Sequence, residues 1–199
     1  NSVIIAAPDS NPASDVTFRL PNADGSAGQF MKTDGSGNLA FASGEGISMF
    51  DQYRVTTSFT GAVSPISNNI ERVDTYSPAF IGSAMSVSSG IFTFPSTGMY
   101  EISFHLIGRI NGDSRFHIAE LQVTTDGTNF VEAAKGSSNF YDGGANTISS
   151  CVAVYHFDVT NTSTHKVRFA VIVNSSSTQT DGSTSANQTY FTFKKMGTT

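Results

Sequence analysis

The strand-length run at residues 98–107 alternates apolar and polar side chains through its centre. The apolar set is Tyr100, Ile102, Phe104 and Leu106, and the polar set is Glu101, Ser103 and His105. A two-residue period places the two sets on opposite faces of a β-strand, with one face buried. Comparable runs recur between turn signals after residue 49, and no stretch sustains the 3.6-residue period of a helix. The sequence therefore predicts an all-β, antiparallel sandwich or barrel.

Turn signals divide the second part of the chain into nine predicted strands. We place them near residues 51–60, 69–75, 90–94, 98–107, 115–124, 129–135, 148–159, 165–173 and 189–196. The Asp-Gly step within Thr125-Asp126-Gly127-Thr128 supplies the backbone angles of a tight turn, so we expect a hairpin there.

The first part of the chain contains little core material. An apolar run at Val3–Ala7 is followed by alternation at Val16, Phe18 and Leu20 and by two Gly-rich turn clusters. We therefore divide the chain into residues 1–48, a short extended β stem, and residues 49–199, a separate domain. The stem must pack on another domain or wind with copies of itself, because it cannot bury its few apolar groups alone.

Two late strands break the alternation that a simple sandwich requires. Cys151–Phe157 and Val167–Val173 are apolar at nearly every position. Strands of this kind are covered on both faces, and a neighbouring subunit is the natural cover for the second face. A β-bulge that swaps the two faces would give the same pattern. The sequence therefore predicts an oligomer, with the bulge as the alternative.

Composition and motifs argue against several classes of protein. The 199 residues carry a net charge of −5 without a basic stripe, which disfavours nucleic-acid binding. No run is long enough to insert into a membrane, and no signal peptide is visible. Cys151 is the only cysteine, and we expect it to be buried. We find no catalytic motif, metal-ligand spacing or cofactor loop, and predict that the chain is not an enzyme.

The segment Gly90-Ile-Phe-Thr-Phe-Pro-Ser-Thr-Gly-Met-Tyr-Glu-Ile-Ser-Phe104 resembles the signature of C1q-like domains. The matching positions are Gly90, Phe92, Phe94, Pro95, Gly98, Tyr100 and Phe104. The ending Tyr190-Phe-Thr-Phe193 resembles the last strand of that family, which lies near a trimer axis. This resemblance implies a C1q/TNF-like jelly roll over residues 49–199 that assembles as a homotrimer.

A second resemblance concerns residues 16–41. Leu20-Pro-Asn-Ala-Asp-Gly-Ser-Ala-Gly-Gln29 and Lys32-Thr-Asp-Gly-Ser-Gly-Asn-Leu39 resemble a segment common in bacteriophage tail fibres and related virion proteins. It implies a chain located on the virion surface, on a tail fibre or on the capsid exterior. The stem would then contact tail or capsid proteins.

These expectations select two sets of candidate residues. The candidate trimer interface consists of Val152, Val154, His156, His105, Tyr190, Phe191 and Phe193. Near a threefold axis, His105 and His156 would either form ordinary interface contacts or meet their symmetry copies and bind an ion or titrate together. The candidate receptor contacts lie in three polar loops, 108–114, 136–147 and 174–188, at the end distant from the stem. They are Arg109, Asn111, Asp113, Phe140, Tyr141, Asp142 and Asp181, and the alternative is that these loops are only solvated.

The sequence thus favours a homotrimeric phage fibre or knob that presents loops to a host-surface glycan or protein. A capsid decoration protein that stabilises the head is the alternative. A polysaccharide depolymerase is disfavoured because charged residues are scarce in this chain.

Overall fold

The computed structural model of this chain describes residues 12, 14, 16–43, 46–76, 80–141 and 146–199. Close Cα neighbours divide the chain into two compact units, with the boundary between Gly46 and Ile47. The roles that we assign to the two parts stay predictions.

The first unit is a small β-structure with exposed apolar side chains. β1 (Gln29–Thr33) and β2 (Leu39–Ser43) form an antiparallel hairpin. The chain around Arg19 lies parallel to the start of β2, where Arg19 N donates to Gly37 O and Leu39 N donates to Arg19 O. The predicted strand at Val3–Ala7 lies outside the described residues. Among the described residues of the first unit, six large apolar side chains are at least one-third exposed, namely Val16, Phe18, Leu20, Phe30, Met31 and Phe41.

The second unit contains short strands at its start and long strands in its centre. In chain order they are β3 (Phe50–Val55), β4 (Phe59–Thr60), β5 (Ile70–Arg72), β6 (Phe80–Ile81), β7 (Ser86–Ser88), β8 (Ile91–Thr93), β9 (Gly98–Asn111), β10 (Ser114–Thr124), β11 (Val131–Phe140), β12 (Asn146–Val159), β13 (Lys166–Val173), β14 (Gln179–Thr180) and β15 (Tyr190–Gly197). Sequence patterning missed β6, β7 and β14, because two or three residues are too short to show a period.

These strands form two antiparallel sheets. One sheet has the order β11-β10-β13-β8-β7. The other is centred on β9, which pairs with β12 along one edge and with β15 and β14 along the other. β3, β5 and β6 continue the sheet beyond β15, and β4 continues it beyond β14. The prediction of an all-β antiparallel sandwich is therefore confirmed. The described residues include no helix that is long and apolar enough to cross a membrane.

The two sheets enclose one aromatic core. The predicted inward face of β9 is confirmed, because Tyr100, Ile102, Phe104 and Leu106 are all fully buried. The Phe92 ring lies at its centre and packs edge-on against Tyr53 and Phe169, with ring centroids 5.1 and 5.5 Å apart. Each such side chain contributes about 1.5–3 kcal/mol by leaving water. This core holds the strands that present the surfaces described below.

Strand pairing fixes which loops share an end of the sandwich. Asn146 lies opposite Asn111, and Ser114 lies opposite Phe140, so the ends of β9 and β11 and the starts of β10 and β12 lie at one end of the sandwich. Phe116 O accepts a hydrogen bond from Asn174 N, which places the 174–189 connection there too. We call this end the tip. The chain enters the unit at the opposite end, where Lys195 N donates to Met49 O.

The predicted loop at 108–114 is mostly strand. β9 continues to Asn111 and β10 begins at Ser114, so only Gly112 and Asp113 connect them. Likewise, β11 extends to Phe140 and shortens the predicted loop at 136–147. The predicted turn at 125–128 does join β10 to β11, and this hairpin is confirmed. The Asp126 carboxylate organises it by accepting hydrogen bonds from the backbone N–H groups of Thr128 and Asn129.

Candidate interaction surfaces

β12 has one buried face and one exposed apolar face. Its register with β9 runs unbroken from Asn146 to Val159, so a bulge does not explain its apolar sequence. Ile148, Val152 and Val154 point away from the core and are 60%, 45% and 50% exposed. On this face Val152 and Val154 are neighbours, and the exposed Ser150 lies between them and Ile148. Three large exposed apolar side chains on one strand face are more than the isolated ones that are ordinary on a protein surface. We call these three residues the β12 strip.

The strip borders a row of polar and aromatic side chains on the same sheet face. Val152 lies opposite His105, and His105 lies opposite Tyr190 on β15. The His105 and Tyr190 rings stack with centroids 4.3 Å apart and an interplanar angle of 3°. His105 Nε2 is 3.1 Å from the Ser103 hydroxyl. Burial lowers the pKa of His105, so the ring favours its neutral form.

An ion-pair cluster lies on the same face two rows nearer the chain entry, beyond the row of Val154, Ser103 and Thr192. Lys194 Nζ is 2.7 Å and His156 Nε2 is 3.5 Å from the Glu101 carboxylate. The hydrogen bond from Lys194 is the main cause that lowers the pKa of Glu101. Glu101 therefore keeps its charge and orients both neighbours on the face that carries the β12 strip.

Two of the candidate interface residues are wrong. Phe191 and Phe193 are fully buried in the core of their own subunit, so their side chains cannot reach a second chain. Phe191 stacks on Phe169 of the opposite sheet, with ring centroids 4.2 Å apart. Alternation along β15 is the reason, since it turns Tyr190 and Thr192 to the outer face and the two Phe side chains inward. His105, His156, Val152, Val154 and Tyr190 do share the outer face.

An ion pair of Arg109 and Asp181 dominates the tip. Arg109 Nε lies 2.9 and 3.0 Å from the two carboxylate oxygens, and Nη2 lies 2.7 Å from Oδ2. Asp181 is nearly fully buried and also accepts a hydrogen bond from Gln179 Nε2 at 2.9 Å. Its carboxylate is therefore occupied within the subunit. Asp181 is wrong as a receptor contact and instead anchors the 174–189 connection to β9.

The remaining tip candidates have different surroundings. Phe140 is buried against the His117 ring, with centroids 5.4 Å apart, so its assignment as a receptor contact is also wrong. Asn111 and Asp113 are exposed, and Tyr141 is 83% exposed. Asp142 lies outside the described residues. Among the described candidates, the side chains that a receptor could reach at the tip are those of Arg109, Asn111, Asp113 and Tyr141. Receptor binding by these residues stays a prediction.

Sequence patterning missed the buried histidine beneath the tip. His117 is fully buried, and neither of its ring nitrogens has a hydrogen-bond partner among the described residues. Burial lowers the pKa of His117 to about 4, against a smaller opposing effect of Asp181. The signal was available, because Ala119, Leu121 and Val123 continue the same inward face along β10.

Cys151 is buried as predicted, and burial raises the pKa of its thiol. Its Sγ lies 3.5 Å from the His117 carbonyl oxygen, the acceptor of its hydrogen bond. Within the described part of the chain, no group of three or more His, Cys, Asp or Glu side chains is arranged to hold a metal ion.

Comparison with known proteins identifies the fold. Two crystal structures of murine APRIL, determined at pH 5.0 and pH 8.5, superpose with TM-scores of 0.54 and 0.51. Each alignment covers 74% of this chain and 98% of the APRIL chain, at 10% sequence identity. The chain has a TNF-like jelly-roll fold. The C1q/TNF-like prediction is thereby confirmed at the level of fold. No protein-family model and no curated protein matches the sequence.

Proposed function

We propose that this chain is a homotrimeric surface protein of a bacteriophage virion, a fibre or knob that presents its tip to a host receptor. The observation that carries the assembly is the β12 strip, in which Ile148, Val152 and Val154 are 45–60% exposed on one face of a single strand. The jelly-roll fold and the C1q-like motif at Gly90–Phe104 support the same oligomeric state. An obligate interface of this kind buries about 2,000 Å² or more.

Virion attachment is assigned to the first unit. Its resemblance to tail-fibre segments supports this role, and so does the exposure of Phe18, Leu20 and Phe30. A two-stranded hairpin is marginally stable alone in water, so the unit requires contacts with other protein. Immunogold electron microscopy of intact particles tests the location. Labelling on the tail supports the fibre, labelling on the head supports the capsid decoration alternative, and unlabelled particles contradict both.

Val154→Asp tests the trimer. The variant places an uncompensated carboxylate within the β12 strip, and burying an unpaired charge costs several kcal/mol per copy. We expect the wild-type chain to sediment as a trimer and the variant to sediment as a folded monomer in analytical ultracentrifugation.

Val131→Asp is the matched control. Val131 is 61% exposed on β11, in the other sheet, and its replacement should leave the trimer intact. The proposal fails if dilute wild-type protein is a well-folded monomer. It fails equally if Val154→Asp remains trimeric.

A further inference from the structure

A preformed pocket lies beside β4, on the edge of the sandwich where the chain crosses between the two sheets. Its volume is about 260 Å³. Its apolar wall consists of Phe59, Val63 and Ile66, which pack against the core on their inner sides. Drug-sized ligands occupy about 300–1,000 Å³, so this pocket suits a smaller ligand, on the scale of a single ring.

Backbone hydrogen bonds hold the pocket open in one shape. Val63 exchanges two hydrogen bonds of 2.9 Å with Val171, and Ile66 N donates to Phe169 O at 2.8 Å. Thr56 N donates to Asn69 O at 2.8 Å and closes the far end of the loop. Asn69 has a φ of 57°, in the left-handed region that Asn tolerates better than most residues. The ligand would therefore meet a rigid wall and lose little affinity to ordering the loop.

The rim of the pocket supplies neutral hydrogen-bonding groups. Thr60, Asn68 and Asn69 line it, and none of their side chains forms a hydrogen bond with another described residue. An amide offers both a donor and an acceptor, and a hydroxyl offers the same. No charged side chain is among the lining residues. The complementary ligand is therefore uncharged, with one apolar surface and hydroxyl groups at its edge.

We propose that this pocket binds one ring of a neutral saccharide. The apolar C–H face of the ring would lie on Phe59 and Val63, and its hydroxyl groups would bond to the Asn68 and Asn69 amides. The inference that this saccharide belongs to the host surface rests on the proposed function. The pocket is lined by residues of one chain, and β14 and β9 lie between β4 and β12 in the sheet, so its binding can be measured separately from assembly.

Saturation-transfer difference NMR on the full chain tests the proposal. The probes are the methyl glycosides of glucose, galactose, mannose and N-acetylglucosamine, with methyl sialoside as the charged comparison and cyclohexanol as the apolar one. We expect transfer to at least one neutral glycoside. Asn68→Ala and Asn69→Gly should each weaken its binding about tenfold through loss of one hydrogen bond. Gly at position 69 retains the left-handed backbone.

Asn139→Ala is the matched control, since Asn139 is an exposed asparagine on β11 in the other sheet. It should leave glycoside binding unchanged. The proposal is overturned if no neutral glycoside binds, if methyl sialoside or cyclohexanol binds more tightly, or if both pocket variants bind as the wild type does. Loss of binding in Tyr141→Ala would also overturn it, because Tyr141 is not among the residues that line the pocket. Glycoside binding by a protein that proves monomeric would refute the trimer and retain the pocket.

Discussion

Replacing Gly136 by Ala tests how the sandwich closes beside β12. A Cβ at Gly136 would lie 2.0 Å from the carbonyl oxygen of Val152 on β12. Ordinary van der Waals contact begins at 3.4 Å, so β11 and β12 must move apart by about 1.4 Å, from 2.0 to 3.4 Å. The carbonyl oxygen belongs to the backbone and the backbone fixes the position of the Cβ, so neither atom can rotate away.

Overpacking a well-packed site costs about 1–3 kcal/mol, and this backbone contact belongs at the upper end of that range. A loss of about 3 kcal/mol corresponds to a fall in Tm of about 6–12 °C for a chain of this length. Urea unfolding at a fixed chain concentration measures it, because assembly makes stability depend on concentration. The displacement of Val152 should weaken self-association in the same variant.

Gly197→Ala is the control for the Gly→Ala change itself. A Cβ at Gly197 would meet nothing within 4 Å, so its free energy of unfolding should change by less than about 0.5 kcal/mol. Gly136→Ala with the stability of the wild type would refute the close approach of β11 and β12. Equal losses in both variants would show that the loss does not come from the contact with Val152, since the effect of Gly→Ala on the unfolded chain is stabilising.

Four further substitutions test the interior. Burial depresses the pKa of His117 to about 4, from about 6.5 in the unfolded chain. The wild type should therefore lose up to about 3 kcal/mol of stability as the pH falls between those two values. His117→Leu should lack this part of the decline when urea unfolding is measured across pH. Arg109→Ala should lower the free energy of unfolding by about 3–5 kcal/mol because it leaves the buried Asp181 carboxylate without its ion-pair partner. Asp181→Asn should cost less because the Arg109 side chain reaches water. Equal losses for the two variants in thermal or urea unfolding would contradict this. Phe193→Ala should destabilise each subunit by about 3–5 kcal/mol through a core cavity, and sedimentation that instead showed stable, folded monomers would return Phe193 to the interface.

Much of the sandwich could be predicted because its long strands carry their own period. β9 shows the two-residue alternation in its sequence, and Asp126-Gly127 marks the turn after β10. The short strands could not be predicted. β14 has only two residues and owes its position to pairing with Gly108 and Arg109 of β9, a contact far apart in sequence.

The tip shows why polar residues near a predicted loop are poor guides to binding. Asp181 has the composition of a solvated loop residue, yet Arg109, seventy-two positions earlier, draws its carboxylate inward. Phe140 has the composition of an exposed aromatic, yet β11 extends far enough to turn it towards His117. In both cases the decisive partner belongs to another strand, and no local pattern contains that information.

The two strands assigned to the interface also show that sequence patterning alone does not tell which face is buried, and that strand register does. β12 is apolar at nearly every position from Cys151 to Phe157, and β15 begins with Tyr190-Phe-Thr-Phe193, but register turns Val152 and Val154 outward and Phe191 and Phe193 inward. The outer face that results is uneven: it is apolar along the β12 edge and is lined at its centre by the hydrogen-bonded side chains of Ser103 and Thr192. A twofold dimer would require this surface to complement itself. The proposed homotrimer requires instead a heterologous contact, in which the β12 edge of one subunit meets a different surface of the next. Three such contacts close a ring, and this is the geometry that a homotrimer requires.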